Sequence, residues 1–330
     1  MPKGSESRSS HCDTHRSSRQ SPVHGVRYGP RLAADTGGAN GCHPNGTAHS
    51  AEGAADARQR QPVSDRGCCR LLSVGLRERG CLWVRGEGPP LVLLSGQANN
   101  HHWWDGVRDD FHAARSTLSL DYRGTGESDK PDRAYSTELF AQDVIAVLDD
   151  LGADRADVYG TSMGGRVAQQ LAARHPHRVR ALVLGCTSPG GQHAVERDND
   201  VRRSLVQPQP GAARQALLEL MYTPAWLATH PGPYRTLGDP DMPAHARRRH
   251  LAAGNQHDAW RLLPGVSAPT LVVHGSDDLL NPAANAPLLA NRIPGARLHM
   301  IPGARHAYFE EFRTLASPLV LDFLTTEPQR

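Results

Sequence analysis

The sequence predicts an α/β protein with a mainly parallel central sheet and helices on both of its faces. After residue 70, short apolar runs alternate with segments whose apolar residues recur every three or four positions, as in an amphipathic helix. Several runs end at Gly, Ser or Asp, and continuous apolar runs are typical of buried parallel strands. Polar residues that can carry chemistry follow several of these runs. The strand–helix repeat therefore predicts both the fold class and the sheet edge that holds the site.

Six apolar runs are predicted strands, and the segments between them include predicted helices. The strands cover residues 91–94, 117–122, 156–160, 179–186, 268–274 and 297–301. The helices cover residues 137–151, 163–174 and 283–292, and a further helix closes the chain. The pattern is clearest at Phe140, Val144 and Val147, because their spacing puts them on one helix face that can pack on the sheet.

Residues 188–266 interrupt this repeat. They are rich in Pro, Arg, His and Gln, and helical patterns occur in pieces such as 211–221 and 244–253. Because the repeat resumes at residue 268, we interpret the segment as a small helical cap inserted into the domain. Its run of arginines at residues 247–249 could neutralise an acidic substrate, but a solvated helix face is the simpler interpretation.

Residues 1–70 differ from the rest in composition. They hold one aromatic residue, Tyr28, and five residues of the Val, Ile, Leu and Met types. So little apolar area cannot offset the entropy lost on ordering such a stretch. We therefore predict a disordered tail at 1–70 and a folded domain at 71–330. The alternatives are a basic arm for an anionic partner, although its ten basic residues are mixed with six acidic ones, and sequence upstream of the true start.

The composition argues against several classes of function. The net charge is +3, and the excess lies before residue 71, so the folded part has no bias toward nucleic acid or an anionic membrane. The sequence has no run of about 18 apolar residues and no apolar signal region, so neither a membrane-spanning helix nor secretion is expected. The six cysteines form no Cys-x-x-Cys pair. We therefore predict a reduced, cytoplasmic setting without a disulfide framework or a metal.

The strongest motif is Gly-x-Ser-x-Gly at residues 160–164, with Ser162 at its centre. It follows an apolar run and precedes a helical pattern, which is the strand–turn–helix context of a nucleophile elbow. Gly160 and Gly164 leave room for a sharp turn that exposes the serine hydroxyl. The backbone N–H of Met163 then points to the same place and can stabilise an oxyanion. An ordinary strand–helix turn is the alternative.

A serine hydroxyl needs a base to become a good nucleophile, and the imidazolium that forms needs an anionic partner. His306 lies in a Gly-containing loop after the last predicted strand, and Asp277 and Asp278 follow the strand before it. The order Ser162, Asp, His306 is the order that accompanies a nucleophile elbow. The residues alone leave two carboxylates open for one role. A surface loop histidine is the alternative interpretation of His306.

These features resemble the α/β-hydrolase superfamily over roughly residues 82–325. The resemblance rests on residues 91–96 followed by Trp104, and on residues 121–128, 160–165, 274–278 and 302–306. The chain is most similar to 3-oxoadipate enol-lactonases, small esterases and cofactor-free haloperoxidases. The resemblance implies the α/β-hydrolase fold, Asp278 as the acid that orients His306, and the backbone N–H groups of Gln97 and Met163 as the oxyanion hole. It also implies that no metal or organic cofactor takes part.

Three features depart from the family pattern. Ser95 and Gly96 stand where His-Gly is usual, and Arg305 stands where Gly often precedes the base. The two strands that should precede residue 91 have only residues 71–74 and 81–84 to form them. We therefore expect a poorly formed sheet edge at the beginning of the domain.

The residues and the resemblance together predict a serine hydrolase that cleaves a carboxylic ester or a lactone through an acyl-enzyme. The expected partner is a small-molecule substrate, with no role for nucleic acid or a membrane. Two alternatives stay open. One is a cofactor-free perhydrolase or haloperoxidase that uses the same three side chains, and the other is a member of the fold that binds a ligand without catalysis.

Overall fold

One eight-stranded sheet forms the centre of the described part of the chain. The structure, a computed structural model, describes residues 69–74 and 78–326. The strands are β1 Cys69–Val74, β2 Glu78–Arg85, β3 Pro90–Leu94, β4 Ser116–Asp121, β5 Ala156–Thr161, β6 Val179–Gly185, β7 Thr270–Gly275 and β8 Arg297–Ile301. The predicted tail lies outside the described residues, except that Cys69 and Arg70 belong to β1.

The strand order in the sheet is β1-β2-β4-β3-β5-β6-β7-β8. Strands β3 to β8 pair in parallel, whereas β2 pairs antiparallel with both β1 and β4. The prediction of a mainly parallel sheet is therefore confirmed. All carboxyl ends of β3 to β8 lie at the same edge, so the loops that follow β3, β5, β6, β7 and β8 can contribute to one site.

Helices cover both faces of this sheet, as predicted. They are α1 Thr137–Asp150, α2 Met163–Arg174, α3 Asn199–Ser204, α4 Pro210–Met221, α5 Pro224–Thr229, α6 Ala244–Asn255, α7 Asn285–Arg292, α8 Tyr308–Glu311 and α9 Arg313–Thr326. Side chains alternate along β3, so Val92 joins the core that contains α1, α2 and α7, and Leu93 joins the core that contains α9. Among the residues that the structure describes, none of the helices has both the length and the apolar character needed to cross a membrane.

The prediction of a poorly formed sheet edge at the beginning of the domain was wrong. Strands β1 and β2 form an antiparallel pair from Cys69 opposite Trp83 to Val74 opposite Glu78, and β2 continues the sheet onto β4. An antiparallel edge can leave one face in water, so it needs fewer apolar residues than the buried runs that guided the prediction. Cys81 on β2 is disulfide-bonded, which the cysteine pattern also did not predict.

The segment at residues 188–266, hereafter the insertion, lies between β6 and β7 and contains α3 to α6. It forms hydrogen bonds with the loops that follow the strands. Gly238 and Asp239 bind the loop after β3, and the carbonyl groups of Leu220 and Met221 bind the loop after β8. The helical content that the sequence predicted for this segment is therefore present, and the insertion reaches two separate loops at the carboxyl edge of the sheet.

Candidate active site

Ser162 occupies a strained turn between β5 and α2. Its backbone has a φ of +57° and a ψ of −121°, which is rare for a residue with a side chain. The turn is possible because two glycines flank it. A Cβ atom at Gly160 would overlap the carbonyl group of Gly164, and one at Gly164 would overlap the carbonyl group of Leu94. The predicted strand–turn–helix context of Ser162 is therefore what the structure contains.

His306 and Asp278 are buried and bonded to each other. Nδ1 of His306 lies 2.8 Å from Oδ2 of Asp278. The other carboxylate oxygen, Oδ1, accepts hydrogen bonds from the backbone N–H groups of Leu280 and Asn281, each at 2.9 Å. Because an ionised carboxylate can only accept hydrogen bonds, Nδ1 of His306 carries the proton and Nε2 holds the lone pair.

The Asp278 carboxyl group is held in its ionised form. Burial alone would raise its pKa, but the opposite charge of His306 and hydrogen bonds from His274 and His306 lower it well below the ordinary value. Nε2 of His274 lies 3.2 Å from Oδ2 of Asp278 and 2.8 Å from the carbonyl oxygen of Asn281. Asp277, by contrast, is exposed and accepts a hydrogen bond from the hydroxyl of Ser276 at 2.7 Å. Of the two adjacent carboxylates, only Asp278 faces His306.

Cys186 joins this group of side chains, although the sequence gave no reason to expect it. It directly follows β6, is completely buried, and has a φ of +37°. Its sulfur, an Asp278 oxygen and a His306 nitrogen all lie within 4.8 Å of one another. Burial and the Asp278 carboxylate raise the pKa of the Cys186 thiol, while the backbone N–H of Ser162 lowers it. Cys186 thus contacts the Ser162 backbone on one side and the Asp278–His306 pair on the other.

This cluster has the ligand types of a metal site, namely a thiol, a carboxylate and an imidazole. Metal binding requires the thiolate form of cysteine. Here burial keeps the Cys186 thiol protonated, and the Asp278 oxygens already accept four hydrogen-bond contacts from His306, His274 and two backbone groups. The arrangement suits proton transfer through His306 better than metal ligation. Nε2 of His306 is buried and has no hydrogen-bond partner among the described residues.

The loops that carry Gln97 and Met163 lie side by side. Met163 is the first residue of α2, and the close approach of Gly164 to Leu94 brings this helix start against the end of β3. In the described part of the chain, the backbone N–H groups of Gln97 and Met163 donate to no protein acceptor. Both N–H groups can therefore donate to an acceptor other than the described part of the protein.

Ser95, which stands where the family usually has His, has a structural role in the loop after β3. Its hydroxyl donates to the carbonyl oxygen of Asn99 at 3.3 Å, and the Asn99 amide donates to the carbonyl oxygen of Gln97 at 2.9 Å. The Asn99 side chain also accepts the N–H of Gly238 in the insertion at 2.8 Å. Ser95 and Asn99 thus fold the loop on itself and fix the position of Gln97.

His250 on α6 supports the same loop from the insertion. Its Nδ1 accepts the N–H of Ala98 at 3.4 Å, so its Nε2 carries the proton and donates to the carbonyl oxygen of Arg123 at 2.9 Å. Burial lowers the pKa of His250 to about 4, which keeps the ring neutral near pH 7. Nothing in the sequence separated His250 from the other seventeen histidines, because its partners lie far away along the chain.

Arg305, the second departure, binds the end of helix α4. Its guanidinium donates to the carbonyl oxygens of Glu219 and, at 3.2 Å, Tyr222. Carbonyl groups at a helix end lack partners within the helix, and a cation there is favourable. The next residue, His306, donates its N–H to the carbonyl oxygen of Leu220 at 3.4 Å. Arg305 therefore ties the loop of the predicted base to the insertion.

Two arginines that the sequence analysis did not single out are partly buried between α2, the loop after β6 and α6 or in the stretch before α3. Arg166 on α2 donates to the carbonyl oxygen of Gly254 at 2.7 Å and to the hydroxyl of Ser188 at 2.9 Å. Arg197 follows β6 and is half-buried. The arginines at 247–249 instead lie on α6. Arg247 donates to backbone carbonyl groups such as that of Asp239, and Arg249 donates to Asp132. The exposed Arg248 forms no hydrogen bond among the described residues.

The chain is also similar in sequence to known proteins. The sequence matches the family described as the alpha/beta hydrolase fold over residues 89–312. A 2-hydroxymuconate semialdehyde hydrolase of Pseudomonas sp. strain CF600 is 30% identical over 285 residues, which cover 82% of this chain and 96% of that protein. A protein of Variovorax paradoxus strain S110 that is named as a carbamate hydrolase is 30% identical over 248 residues, which cover 72% of this chain and 92% of that protein.

Among solved structures, the enol-lactonase from Burkholderia xenovorans LB400 superposes with a TM-score of 0.66 at 27% identity. The match covers 75% of this chain and 97% of the enol-lactonase. The family match spans more than half of the chain and includes every predicted site residue. The chain is therefore a hydrolase and belongs to the α/β-hydrolase fold family.

Proposed function

We propose that this hydrolase cleaves a carboxylic ester or a lactone, with Ser162 as the nucleophile, His306 as general base and acid, and Asp278 as the group that orients His306. One observation carries the proposal. The buried bond between Asp278 and Nδ1 of His306 leaves the Nε2 lone pair free, in a cluster that also contacts the backbone of the strained Ser162 turn. This is the arrangement that activates a serine hydroxyl.

The first half of the proposed reaction forms an acyl-enzyme. Nε2 of His306 takes the hydroxyl proton of Ser162 while Oγ attacks the carbonyl carbon. The N–H groups of Gln97 and Met163 donate to the oxygen that becomes negative. The imidazolium then gives its proton to the alkoxide as the carbon–oxygen bond breaks. The alcohol leaves, or stays attached to the acyl chain when the substrate is a lactone.

The second half returns the enzyme to its starting state. Nε2 of His306 takes a proton from water, which attacks the acyl carbon, and the imidazolium then protonates Oγ of Ser162 as the acid leaves. Asp278 keeps its negative charge throughout, because its pKa is lowered well below the working range. A fixed negative charge beside Nδ1 favours the imidazolium each time it forms. None of these steps calls for a metal or an organic cofactor.

Two further points support an ester or lactone substrate of small size. The similar structure from Burkholderia xenovorans is an enol-lactonase, and the match covers that protein almost completely. The insertion contacts both the loop of Gln97 and the loop of His306, as expected of a cap that encloses a small molecule between them. A cytoplasmic location stays a prediction.

The test is the substitution Ser162→Ala. We expect turnover of 4-nitrophenyl butyrate and of simple lactones to fall by on the order of 10⁶, as it does when a comparable nucleophile is removed. Labelling by a fluorophosphonate probe should disappear as well. The matched control is Ser204→Ala on α3, whose hydroxyl donates only to the carbonyl oxygen of Val201 at 2.9 Å. Retention of more than a few per cent of turnover in Ser162→Ala would contradict the assignment.

A further inference from the structure

We propose that Trp103 is a positioning residue for the proposed reaction, because its side chain holds the loop of Gln97 and the turn of Ser162 in a fixed relation to each other. The inference rests on the proposed function and goes beyond it. It assigns the spacing of the two oxyanion donors, Gln97 and Met163, to one hydrogen bond and one packing contact. Trp103 acts through the backbone at these two places and not on the substrate.

The indole of Trp103 is bonded to the residue that precedes the nucleophile. Trp103 lies in a short 3-10 helix, His101–Trp104, which follows the loop after β3. Its Nε1 donates to Oγ1 of Thr161 at 2.8 Å, and both side chains are buried. Thr161 is the last residue of β5 and directly precedes Ser162. A bond between enclosed polar groups is costly to break, because neither partner can turn to water instead. The bond therefore ties the chain that follows β3 to the end of β5.

The hydroxyl of Thr161 is held in the orientation that accepts this bond. A Cβ atom at Gly185 would lie 2.7 Å from Cγ2 of Thr161, so the methyl group of Thr161 packs closely on the end of β6. The carbonyl oxygen of Gly185 also accepts the N–H of Ser162 at 2.9 Å. A β-branched side chain has few rotamers. With its methyl group on Gly185, the side chain of Thr161 directs its hydroxyl to Trp103.

The same indole packs on the residue that precedes Gln97. A Cβ atom at Gly96 would lie 2.6, 2.8 and 3.0 Å from three carbon atoms of the six-membered ring of Trp103. Distances below 3.0 Å are essentially never found for a real Cβ atom, so only glycine fits beneath this ring. Any displacement of the indole would change the position of Gly96 and, with it, the N–H of Gln97.

A third contact reaches the segment of the predicted base. The ring centroids of Trp103 and Phe309 lie 5.3 Å apart, and Phe309 belongs to α8, which begins two residues after His306. Aromatic pairs at this separation add to the stabilisation that burial provides. Trp103 thus contacts the segments that carry Gln97, Ser162 and His306. All three contacts lie outside the insertion, in contrast to the bonds that the insertion makes with the same loops.

The positions of the two donors matter most in the transition state. Both N–H groups must lie within hydrogen-bond distance of one oxygen atom, which becomes negative only after the nucleophile attacks. Gln97 follows Gly96 directly, and Met163 comes two residues after Thr161, so the contacts of Trp103 set the separation of the donors. Loosening them should lower kcat and leave KM nearly unchanged, because the substrate binds before the negative charge forms.

Three substitutions test the bond. Trp103→Phe removes the donor, and Thr161→Val removes the acceptor but keeps the shape of the side chain. Each should lower kcat for 4-nitrophenyl butyrate by about tenfold to a hundredfold, with a change in KM of less than about twofold. Because both remove the same bond, the double variant should be little slower than either single variant. Thr161→Ser keeps the acceptor and should retain most of the activity. Wild-type kcat in Thr161→Val, or effects that multiply in the double variant, would overturn the inference.

The neighbouring Trp104 provides the control. It is completely buried in the same core, and its Nε1 has no hydrogen-bond partner among the described residues. Trp104→Phe should therefore lower the melting temperature, as Trp103→Phe does, but keep kcat. A trifluoromethyl ketone gives a second measurement, because addition of Ser162 to it forms an oxyanion. Its inhibition constant should rise in Trp103→Phe and Thr161→Val and stay unchanged in Trp104→Phe. Equal losses of kcat in the two Trp→Phe variants would show that packing alone is responsible and contradict the inference.

The NMR signal of the Trp103 indole N–H separates this inference from the proposed function. The signal is assigned by its absence from Trp103→Phe, and it should move in Thr161→Val but stay near its wild-type position in Thr161→Ser. If it does so and Ser162→Ala keeps its turnover, the proposed function fails while the link between the two loops stands. If Ser162→Ala is inactive and Thr161→Val has the kcat and inhibition constant of the wild type, the inference alone fails.

Discussion

The loop of His306 and the loop of Gln97 are both anchored to the insertion, but by different chemistry. Charged groups hold the first: its Arg305 guanidinium donates to carbonyl groups at the end of α4 in the insertion, and the ionised Asp278, which follows β7 outside the insertion, bonds to His306. Neutral groups hold the second, namely the amide of Asn99 and the uncharged ring of His250. A carboxylate with a lowered pKa stays ionised in weak acid. A buried imidazole with a lowered pKa instead makes the folded protein less stable as the pH falls, because the unfolded chain binds the proton first. The contacts of the two loops should therefore lose their contribution to stability in different pH ranges.

The largest effect is expected at the charged loop. Asp278→Asn should lower turnover by roughly 10⁴, because the amide favours the wrong imidazole tautomer and cannot stabilise the imidazolium. Asp277→Asn is the matched control, since Asp277 is exposed and bonded only to Ser276 among the described residues, and it should remain largely active. Turnover of 4-nitrophenyl butyrate by the two purified variants decides the matter. The reverse ranking would assign the role to Asp277.

The neutral loop should show a smaller effect of a different kind. His250→Gln removes the acceptor of the Ala98 N–H and loosens the position of Gln97. A misplacement of this kind should reduce kcat by on the order of tenfold to a hundredfold. The Asp278–His306 pair is untouched by this change. A kcat equal to that of the wild type would contradict the role of His250 in placing Gln97.

The pH dependence of the folding stability should distinguish the two loops. The pKa of His250 falls from an ordinary 6.5 to about 4 in the folded protein, so the unfolded chain binds the proton first and stability decreases as pH falls from 6.5 to 4. The pKa of Asp278 is lowered from 3.8, so its contribution is complete above that value and is lost only at lower pH.

Melting curves of three proteins test these windows. The melting temperature of His250→Gln should lie below that of the wild type, and this difference should shrink as the pH falls from 6.5 to about 4. The corresponding difference for Asp278→Asn should persist down to about pH 4 and shrink below it. Other buried groups, such as His257 with its lowered pKa, are common to all three proteins and cancel in the differences. Parallel curves for wild type and His250→Gln would show that His250 does not titrate as the structure indicates.

The smallest effect is expected at Arg305. Arg305→Gln removes charge-assisted bonds to the carbonyl groups at the end of α4, and we expect the free energy of unfolding to fall by about 1 kcal/mol. Arg261→Gln, at an exposed position, is the control and should be close to neutral. Chemical denaturation of both variants measures the difference. A neutral Arg305→Gln would mean that the bonds from residues 306 and 307 suffice to hold the loop.

Much of the fold was predictable because the sheet is built from continuous apolar runs. Strands such as β5 and β7, and helices such as α1 and α2, have the lengths and spacing that buried elements require. The first antiparallel edge was missed for the same reason. A strand such as Glu78–Arg85 has polar residues among its apolar ones, so a search for apolar runs undervalues it.

The site was predictable where chain order or a glycine pattern specified a residue. Ser162 was identified by its flanking glycines, and Asp278 was chosen over Asp277 only through the family resemblance. Cys186, His250 and Arg166 could not be found in this way. Their partners are more than twenty residues away in most cases, as with His250 and Ala98, and no local pattern marks a side chain that acts through a distant loop.

The contacts of the insertion have a consequence for protein engineering. Exchanging residues 188–266 for the corresponding segment of a relative would replace not only the walls around a substrate but also the groups that fix both loops. The backbone carbonyl groups at positions 220 and 221 and the N–H at 238 would shift unless the new segment followed the same path, and the ring of His250 would be lost. A chimera with a new segment should therefore retain these four positions, or its altered selectivity would be confounded with a slower chemical step.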